Sequence, residues 1–288
     1  MGPDGYGGDV PEGDVVWKAA DRLNAALRDR PLVGAELRWP GIPDRPLHGM
    51  VTTGVHSRGK HLLHRLDSGL TIHSHLRMEG SWRVRPTPQV TPRFARAADI
   101  RALLATQEWA AIGWRLGMLD LIATGDEHRL VGHLGPDILG ADWDPEEAVR
   151  RLLRAPDLTI GEALLDQRNL AGIGTFFAAE ALFARRLNPW TAVGHLGPDE
   201  VSALIDVAQK QLAQSAHDPS RSLTQRTGLL DDNYVHGRSG LPCERCGTLI
   251  RVAMIGKAPQ DRTMFYCPHC QGGLGPTDDG KRQRPIGR

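Results

Sequence analysis

The nine residues Asp166-Gln167-Arg168-Asn169-Leu170-Ala171-Gly172-Ile173-Gly174 join two helical patterns and decide how the second half of the chain is read. Before them, Thr159-Ile160-Gly161-Glu162 has the spacing of a capping box, Thr at the cap and Glu three residues on. Ala163 to Gln167 continues that helix. After them, Thr175 to Arg186 reads as helix again, with Phe176, Phe183 and Leu187 on one side and Thr175 expected at the cap. Gly172 and Gly174 let the backbone approach a partner closely, and the next helix N-terminus offers free N–H groups to an anion. Asn169 adds a side-chain donor. An ordinary turn between helices has the same Gly-x-Gly content, so the turn alone leaves both readings open.

Upstream, Asp144-Pro145-Glu146-Glu147 is an N-cap, a first-turn proline and two acids at the positive helix end. Val149, Leu152 and Leu153 follow, and Pro156 ends the helix. Downstream, Pro198-Asp199-Glu200 starts a helix carrying Val201, Leu204, Ile205, Ala208 and Leu212. Residues 144–216 are therefore a four-helix segment. Residues 217–237 read as a polar loop.

Then Cys243-x2-Cys246, twenty residues, and Cys267-x2-Cys270 give the spacing of a four-cysteine zinc ribbon. Each pair is a turn aiming two thiolates at one point, and two turns complete a tetrahedron. Gly247 and Pro268 suit such knuckles. A redox reading needs one pair beside a βαβ unit, which the pattern lacks. Four protein ligands make a closed, structural site for one zinc ion. Gln260 to Tyr266 is expected to be a hairpin with Arg262 at its tip; such an arginine is either a phosphate clamp or a solvated surface group. The ribbon is assigned to residues 238–272, and residues 273–288 are expected to be a disordered basic tail.

In the first half, Val16, Ala20, Leu23 and Leu27 share one helix face. Leu62, His64 and Leu66 alternate, Asp67-Ser68-Gly69 turns the chain, and Leu70, Ile72, Ser74 and Leu76 alternate again, which is a hairpin signal. Residues 108–132 hold further strand-like runs. Residues 11–135 thus read as one helix plus a β-sandwich, and the fold class as α+β. Residues 1–10 read as an unstructured leader, with neither the basic start nor the apolar centre of a signal peptide. No apolar run approaches the ~20 residues of a membrane span. The expectation from composition is a soluble cytoplasmic protein. The net charge of +1 neither supports nor excludes a DNA partner.

Pro11-Glu12-Gly13 before the first helix has a bland reading as a proline–acid helix cap. Together with Arg58-Gly59-Lys60, His75-Leu76-Arg77-Met78-Glu79-Gly80, the Asp166–Gly174 turn and the cysteine module, it resembles the formamidopyrimidine-DNA glycosylase/endonuclease VIII family of DNA repair enzymes. The matches run in the family's order from Pro11 to Gln271. The resemblance implies a proline amine nucleophile at Pro11, proton transfer by Glu12, and a phosphate-binding Lys60, one of only five lysines, that supports the glycosylase step. It implies a wedge residue at Met78 beside Arg77, and phosphate contacts at Asn169 and Arg262. Leu134-Gly135-Pro136-Asp137 also matches and reads as a structural turn. There are departures: Thr175 stands where the family usually has Asn, His236 where it has Tyr, and Asp14 is one place early for the family's second acid. Trp114-Arg115-Leu116-Gly117 lacks the Arg and Phe usual in the branch specific for oxidised guanine, which favours the endonuclease VIII side.

The implied function is a monomeric bifunctional DNA glycosylase/AP lyase of the bacterial cytoplasm, associated with the nucleoid through DNA, that binds duplex DNA with damaged bases or abasic sites, removes mainly oxidised pyrimidines and nicks the strand by elimination. Alternatives are an oxidised-purine glycosylase, a damaged- or abasic-DNA binder that does not cut, and a zinc-ribbon protein unrelated to repair. Val10 makes the Pro11 nitrogen an amide. A GTG codon can encode an internal Val or serve as a start codon, so a start at Val10 followed by methionine removal is the expected origin of a free Pro11.

Overall fold

A computed structural model describes residues 11–43, 45–217 and 233–285. The leader 1–10, most of the 217–237 loop and the last three residues lie outside the described residues. The chain divides into two compact units between His133 and Leu134.

The first unit begins with α1 (Gly13–Leu27), whose buried Val16, Ala19, Ala20, Leu23, Ala26 and Leu27 form the expected apolar face. Eight strands follow: β1 (Gly34–Leu37), β2 (Thr52–Arg58), β3 (His61–Leu66), β4 (Leu70–His75), β5 (Ser81–Pro86), β6 (Ile100–Ala105), β7 (Trp109–Trp114) and β8 (Met118–Ala123). A short helix α2 (Pro92–Ala95) intervenes, and α3 (His128–Val131) ends the unit. The strands make two antiparallel sheets, β1-β6-β7-β5 and β2-β3-β4-β8. Leucines 62, 66, 70, 76, 104 and 119 and Ile72 bury between them with α1. Across that core the Trp82 indole donates to Ser74 Oγ at 3.0 Å, so the one hydroxyl on the inward face of β4 is paired.

The Asp67-Ser68-Gly69 hairpin forms as read. Its three-residue loop ends on Gly69 at φ +74°, the left-handed position such loops require. Residues 124–131, expected among strand-like runs, are instead a 3-10 turn and α3. The Thr71 hydroxyl and the Arg65 guanidinium both bond Glu127 there, which fastens this segment to the sheet.

The second unit contains α4 (Pro145–Leu152), α5 (Ile160–Leu165), α6 (Thr175–Arg185), α7 (Pro198–His217) and a hairpin of β9 (Arg251–Ile255) and β10 (Arg262–Tyr266). Asp144 caps α4 through the Glu147 N–H, and Thr159 with Glu162 forms the full capping box of α5. Gly174, not Thr175, is the N-cap of α6. That helix is buried almost all round, from Phe177 to Phe183, rather than along one side, because the other helices and the strand hairpin enclose it. The ribbon is not a separate appendage: Ile250, Ile255, Met264 and Phe265 share one apolar cluster with the helices. A Cβ on Gly161 would lie 2.3 Å from Ile255 Cδ1 and 3.0 Å from Pro189 O, so α5 and β9 approach closely there.

The tail is a correction to the sequence reading. Residues 273–285 lie along the hairpin. Asp278 accepts from the Tyr266 hydroxyl at 2.6 Å and pairs with Arg251, which holds its carboxyl down at about 2. The Gln283 amide bonds both N–H and C=O of Val252 at 2.8 Å and so satisfies the edge of β9. No helix among the described residues is long and apolar enough to cross a membrane.

His64, in the sandwich core, bonds Thr52 Oγ1 through Nε2 at 2.8 Å, while its Nδ1 has no partner among the described residues. Burial lowers its pKa to about 4. The unfolded chain therefore binds this proton first, near pH 6.5. The stability His64 confers is complete above pH 6.5 and is lost as pH falls toward 4, about 3 kcal/mol in all. Urea unfolding at pH 7, 6 and 5 should show an acid limb, and His64→Phe should make it shallower; equal slopes in the two proteins would refute the assignment.

Candidate functional site

The sequence-predicted residues of the first unit sit at turns and at a helix start. Glu12 is the residue before α1, and its carbonyl accepts from Val15 and Val16 at 3.1 and 3.2 Å. Its side chain makes no capping bond although it is only 3% exposed. Glu12 thus caps the helix through its carbonyl and not through its carboxylate. Asp14, in the first turn, pairs with Lys18 at 3.5 Å.

Lys60 lies in the two-residue turn between β2 and β3, where Arg58 pairs with His61. Gly59, at φ +56°, takes the first central position, which in such turns asks for glycine. The sequence pattern showed only the hairpin of residues 62–76; β2 adds a second one, and this element is its turn.

Between β4 and β5 the chain winds tightly, with Gly80 N–H bonding Leu76 O at 3.0 Å. A Cβ on Gly80 would sit 2.4 Å from that oxygen. Arg77 takes φ +58°, unusual for a residue with a side chain. The winding turns Met78 outward to 68% exposure, the highest among the exposed large hydrophobic residues. Met78 is therefore not a core residue at a strand end. Arg115, in the loop after β7, pairs with Glu79 of this turn at 3.2 Å and with Asp99 at 3.1 Å.

Sequence reasoning missed a histidine cluster. His61 Nδ1 lies 2.8 Å from His73 Nε2, and His73 Nδ1 lies 2.9 Å from Asp120 Oδ2. His75 packs edge-on against His61 at 4.9 Å, and its Nδ1 accepts the Arg77 N–H at 2.9 Å. Burial and the surrounding positive and imidazole groups lower His61 to about 3 and His75 to about 4. The available signal was His73-x-His75 on one face of β4, opposite the residue after Lys60.

In the second unit the Asp166–Gly174 turn is internally bonded. Gln167 donates to Leu165 O and Ile173 O and accepts from Gly172 N–H. Asn169 spends one amide N–H on Ala163 O at 2.9 Å, which fixes the side chain at the turn. Leu134 to Asp137, expected as a turn, forms none of its own: Asp137 is bridged to Ala171 and the turn starts there, with the Gly140 N–H bonding Asp137 O at 2.9 Å. The segment is packed so closely that a Cβ on Gly135 would lie 2.4 Å from Asn169 O.

The four cysteine sulfurs lie within 4.8 Å of one another. Cys243 and Cys270 are 4.0 Å apart, and Cys246 and Cys267 3.6 Å. A tetrahedron with metal–sulfur bonds of ~2.3 Å needs edges of about 3.8 Å, so the donor set fits one metal ion. Gly247 at φ +76° closes the first knuckle, bonding Cys243 O at 2.8 Å. Arg262 opens β10 and is exposed, its guanidinium folded onto Gln260 O and Asp261 O. The hairpin runs from 251 to 266, so the stretch read as a whole hairpin is its tip and second strand.

What holds the approach to this module is Glu180 of α6, wholly buried. It accepts the N–H groups of Tyr234, Val235 and His236 at 2.9, 2.9 and 2.8 Å. Burial pushes its carboxyl up, and these donors with Arg238 pull it back. His236 then packs edge-on between Phe176 and Phe265, at 5.1 and 4.8 Å.

Comparison with known proteins gives one consistent result. Residues 10–118 match the formamidopyrimidine-DNA glycosylase N-terminal domain, and residues 134–237 the formamidopyrimidine-DNA glycosylase H2TH domain. The chain is 45% identical to the probable endonuclease 8 2 of Streptomyces coelicolor over 94% of this chain and 98% of that protein. It is 38% identical to a DNA-(apurinic or apyrimidinic site) lyase of Mycolicibacterium smegmatis over 91% and 99%. The Lactococcus lactis formamidopyrimidine DNA glycosylase, solved with DNA containing an AP site, has the same fold, with a TM-score of 0.75 at 23% identity over 91% of this chain and 100% of that one.

Removing the Glu180 carboxylate leaves three N–H groups without their acceptor, that of Val235 buried and those of Tyr234 and His236 part-buried. Glu180→Ala should destabilise the second unit by roughly 3 kcal/mol or more, and Glu180→Gln by less, in denaturant unfolding. Wild-type stability in Glu180→Ala would show the clamp to be dispensable.

Proposed function

Because the chain belongs to the formamidopyrimidine-DNA glycosylase/endonuclease VIII family, we propose that it is a bifunctional DNA glycosylase/AP lyase acting through Pro11 on oxidised pyrimidines and abasic sites in duplex DNA. The observation that carries this reading is Glu12, a buried acid directly after Pro11 whose side chain makes no capping bond to its helix.

The Pro11 nitrogen, as a free secondary amine, attacks the sugar C1′ and the bond to the damaged base breaks. An α-amino group titrates near ~8, so part of it is unprotonated at neutral pH, whereas a lysine at ~10.4 would need its pKa lowered first. Glu12 delivers a proton to the ribose ring oxygen, the ring opens and an iminium ion forms. The iminium acidifies the C2′ proton; its removal expels the 3′ phosphate. The chemistry needs an amine at residue 11, so the acting form begins there.

Lys60, Asn169 and Arg262 bind phosphates around the lesion, and Met78 with Arg77 fills the gap left by the flipped base. An exposed, unbranched apolar side chain on a tightly wound loop suits that task. The absence of the Arg and Phe pair at Trp114–Gly117 supports pyrimidine over purine lesions. Cys243, Cys246, Cys267 and Cys270 hold one structural zinc ion, which fixes the β9–β10 hairpin and with it Arg262.

Borohydride trapping on a duplex with an abasic site tests the chemistry. Protein beginning at Pro11 should form a covalent adduct and protein beginning at Met1 should not. No adduct from either would favour a binder that does not cut. Glu12→Gln should lower turnover by about 10² or more. Metal analysis should find one zinc per chain, and Arg262→Ala should weaken duplex binding and lower the slope of log K against log salt by about one.

A further inference from the structure

The Asp120–His73–His61 chain has no part in the mechanism above. It crosses three adjacent strands: His61 opens β3, His73 lies on β4 and Asp120 on β8, where His73 and Asp120 pair in the ladder. His73 is fully buried. A carboxylate can only accept, so His73 carries its proton on Nδ1. Its Nε2 is then an acceptor, and His61 must donate from its own Nδ1. The neutral His61 ring is thereby fixed with a lone pair, not a proton, on Nε2.

His75 has the opposite polarity. Its Nδ1 accepts the Arg77 N–H, so its neutral ring carries the proton on Nε2 and already offers a donor. His61 can offer one only by gaining a proton at Nε2. That step needs no rearrangement: the new charge is passed through two hydrogen bonds already directed toward the Asp120 carboxylate. In the free protein the step is opposed. Burial comes first, and His73, His75, His133 and Arg77 add to it in disfavouring the cation. Asp120 is the acidic end of this hydrogen-bonded series.

We propose that the Asp120–His73 chain makes His61 a further phosphodiester-binding residue beside Lys60, one that takes up a proton from solvent as DNA binds. A phosphodiester arriving at the Gly59-Lys60 turn brings the negative charge that the site lacks and reverses the balance. The bound ring then donates Nε2–H to a phosphate oxygen. His73 and Asp120 are positioning residues that never touch DNA. The inference rests on the DNA-binding reading above.

Calorimetry of the intact, metal-loaded protein with a duplex carrying the uncleavable tetrahydrofuran analogue of an abasic site tests it. Titrations at pH 6.5 in two buffers of different ionisation enthalpy give the protons taken up. Wild type should take up a sizeable fraction of a proton, and its Kd should tighten about tenfold from pH 7.5 to 6. His61→Gln should abolish the uptake and flatten the Kd profile while binding nearly normally at pH 8. Asp120→Asn, which keeps an acceptor but not the charge, should lower the uptake, and His48→Gln, outside the cluster, should not.

Wild-type binding without uptake, or uptake preserved in His61→Gln, would overturn the proposal. So would a loss of affinity in His61→Gln that is equal at every pH, which would mark a purely structural role. Failure of wild type to prefer the abasic-analogue duplex over an undamaged one would instead refute the functional reading, and this inference with it.

Discussion

The register between β2 and β3 is the constraint on which the first unit depends. It is set by a two-residue turn whose first position, Gly59, takes a backbone conformation that favours glycine. With Arg58 opposite His61, Leu62 and Leu66 face the core, and His61 joins His73 and His75 on the other face. A slip of one residue would send every side chain of β3 to the wrong side. The leucines would leave the core, and the hydrogen-bonded chain to Asp120 would not form. Folding stability and the candidate chemistry are therefore held by the same turn, which also carries Lys60.

Glu180 has a comparable place in the second unit. A charged group is costly inside an apolar cluster unless its oxygens are fully bonded, and three consecutive backbone N–H groups meet that need. The consequence is positional. Residues 234–236 are fastened to α6, and the first knuckle begins seven residues after His236. The cysteine module therefore shares the apolar cluster of the helices instead of hanging from a linker. Arg245 reinforces the junction by lying 4.0 Å over the Phe183 ring and bonding its carbonyl.

Much of this was legible in the sequence, for identifiable reasons. Helix starts at Asp144 and Thr159 are local: each cap side chain accepts the N–H three residues on, and Glu162 bonds back to Thr159, without tertiary help. The cysteine pairs were legible because ligand spacing is dictated by the metal. The alternation of residues 62–76 was legible because one face is buried. What failed was non-local. The segment 124–131 has strand-like composition, and its helical turns are fastened by Arg65 and Thr71, some sixty residues earlier. The tail looked too polar to fold, yet Asp278 and Gln283 find partners only on the finished hairpin. The histidine chain was invisible for the same reason: it exists only once β3, β4 and β8 are paired. The family resemblance supplied roles for Pro11, Glu12 and Met78; the residues alone supplied candidates.

The central claim is that this fold presents residue 11 as an amine to a sugar carbon. Its most direct measurement is peptide mapping by mass spectrometry of the borohydride-reduced covalent complex, formed by protein that begins at Pro11. The account predicts a single modified peptide, with the sugar remnant on the Pro11 nitrogen. A remnant on Lys60 or on any other lysine would contradict it.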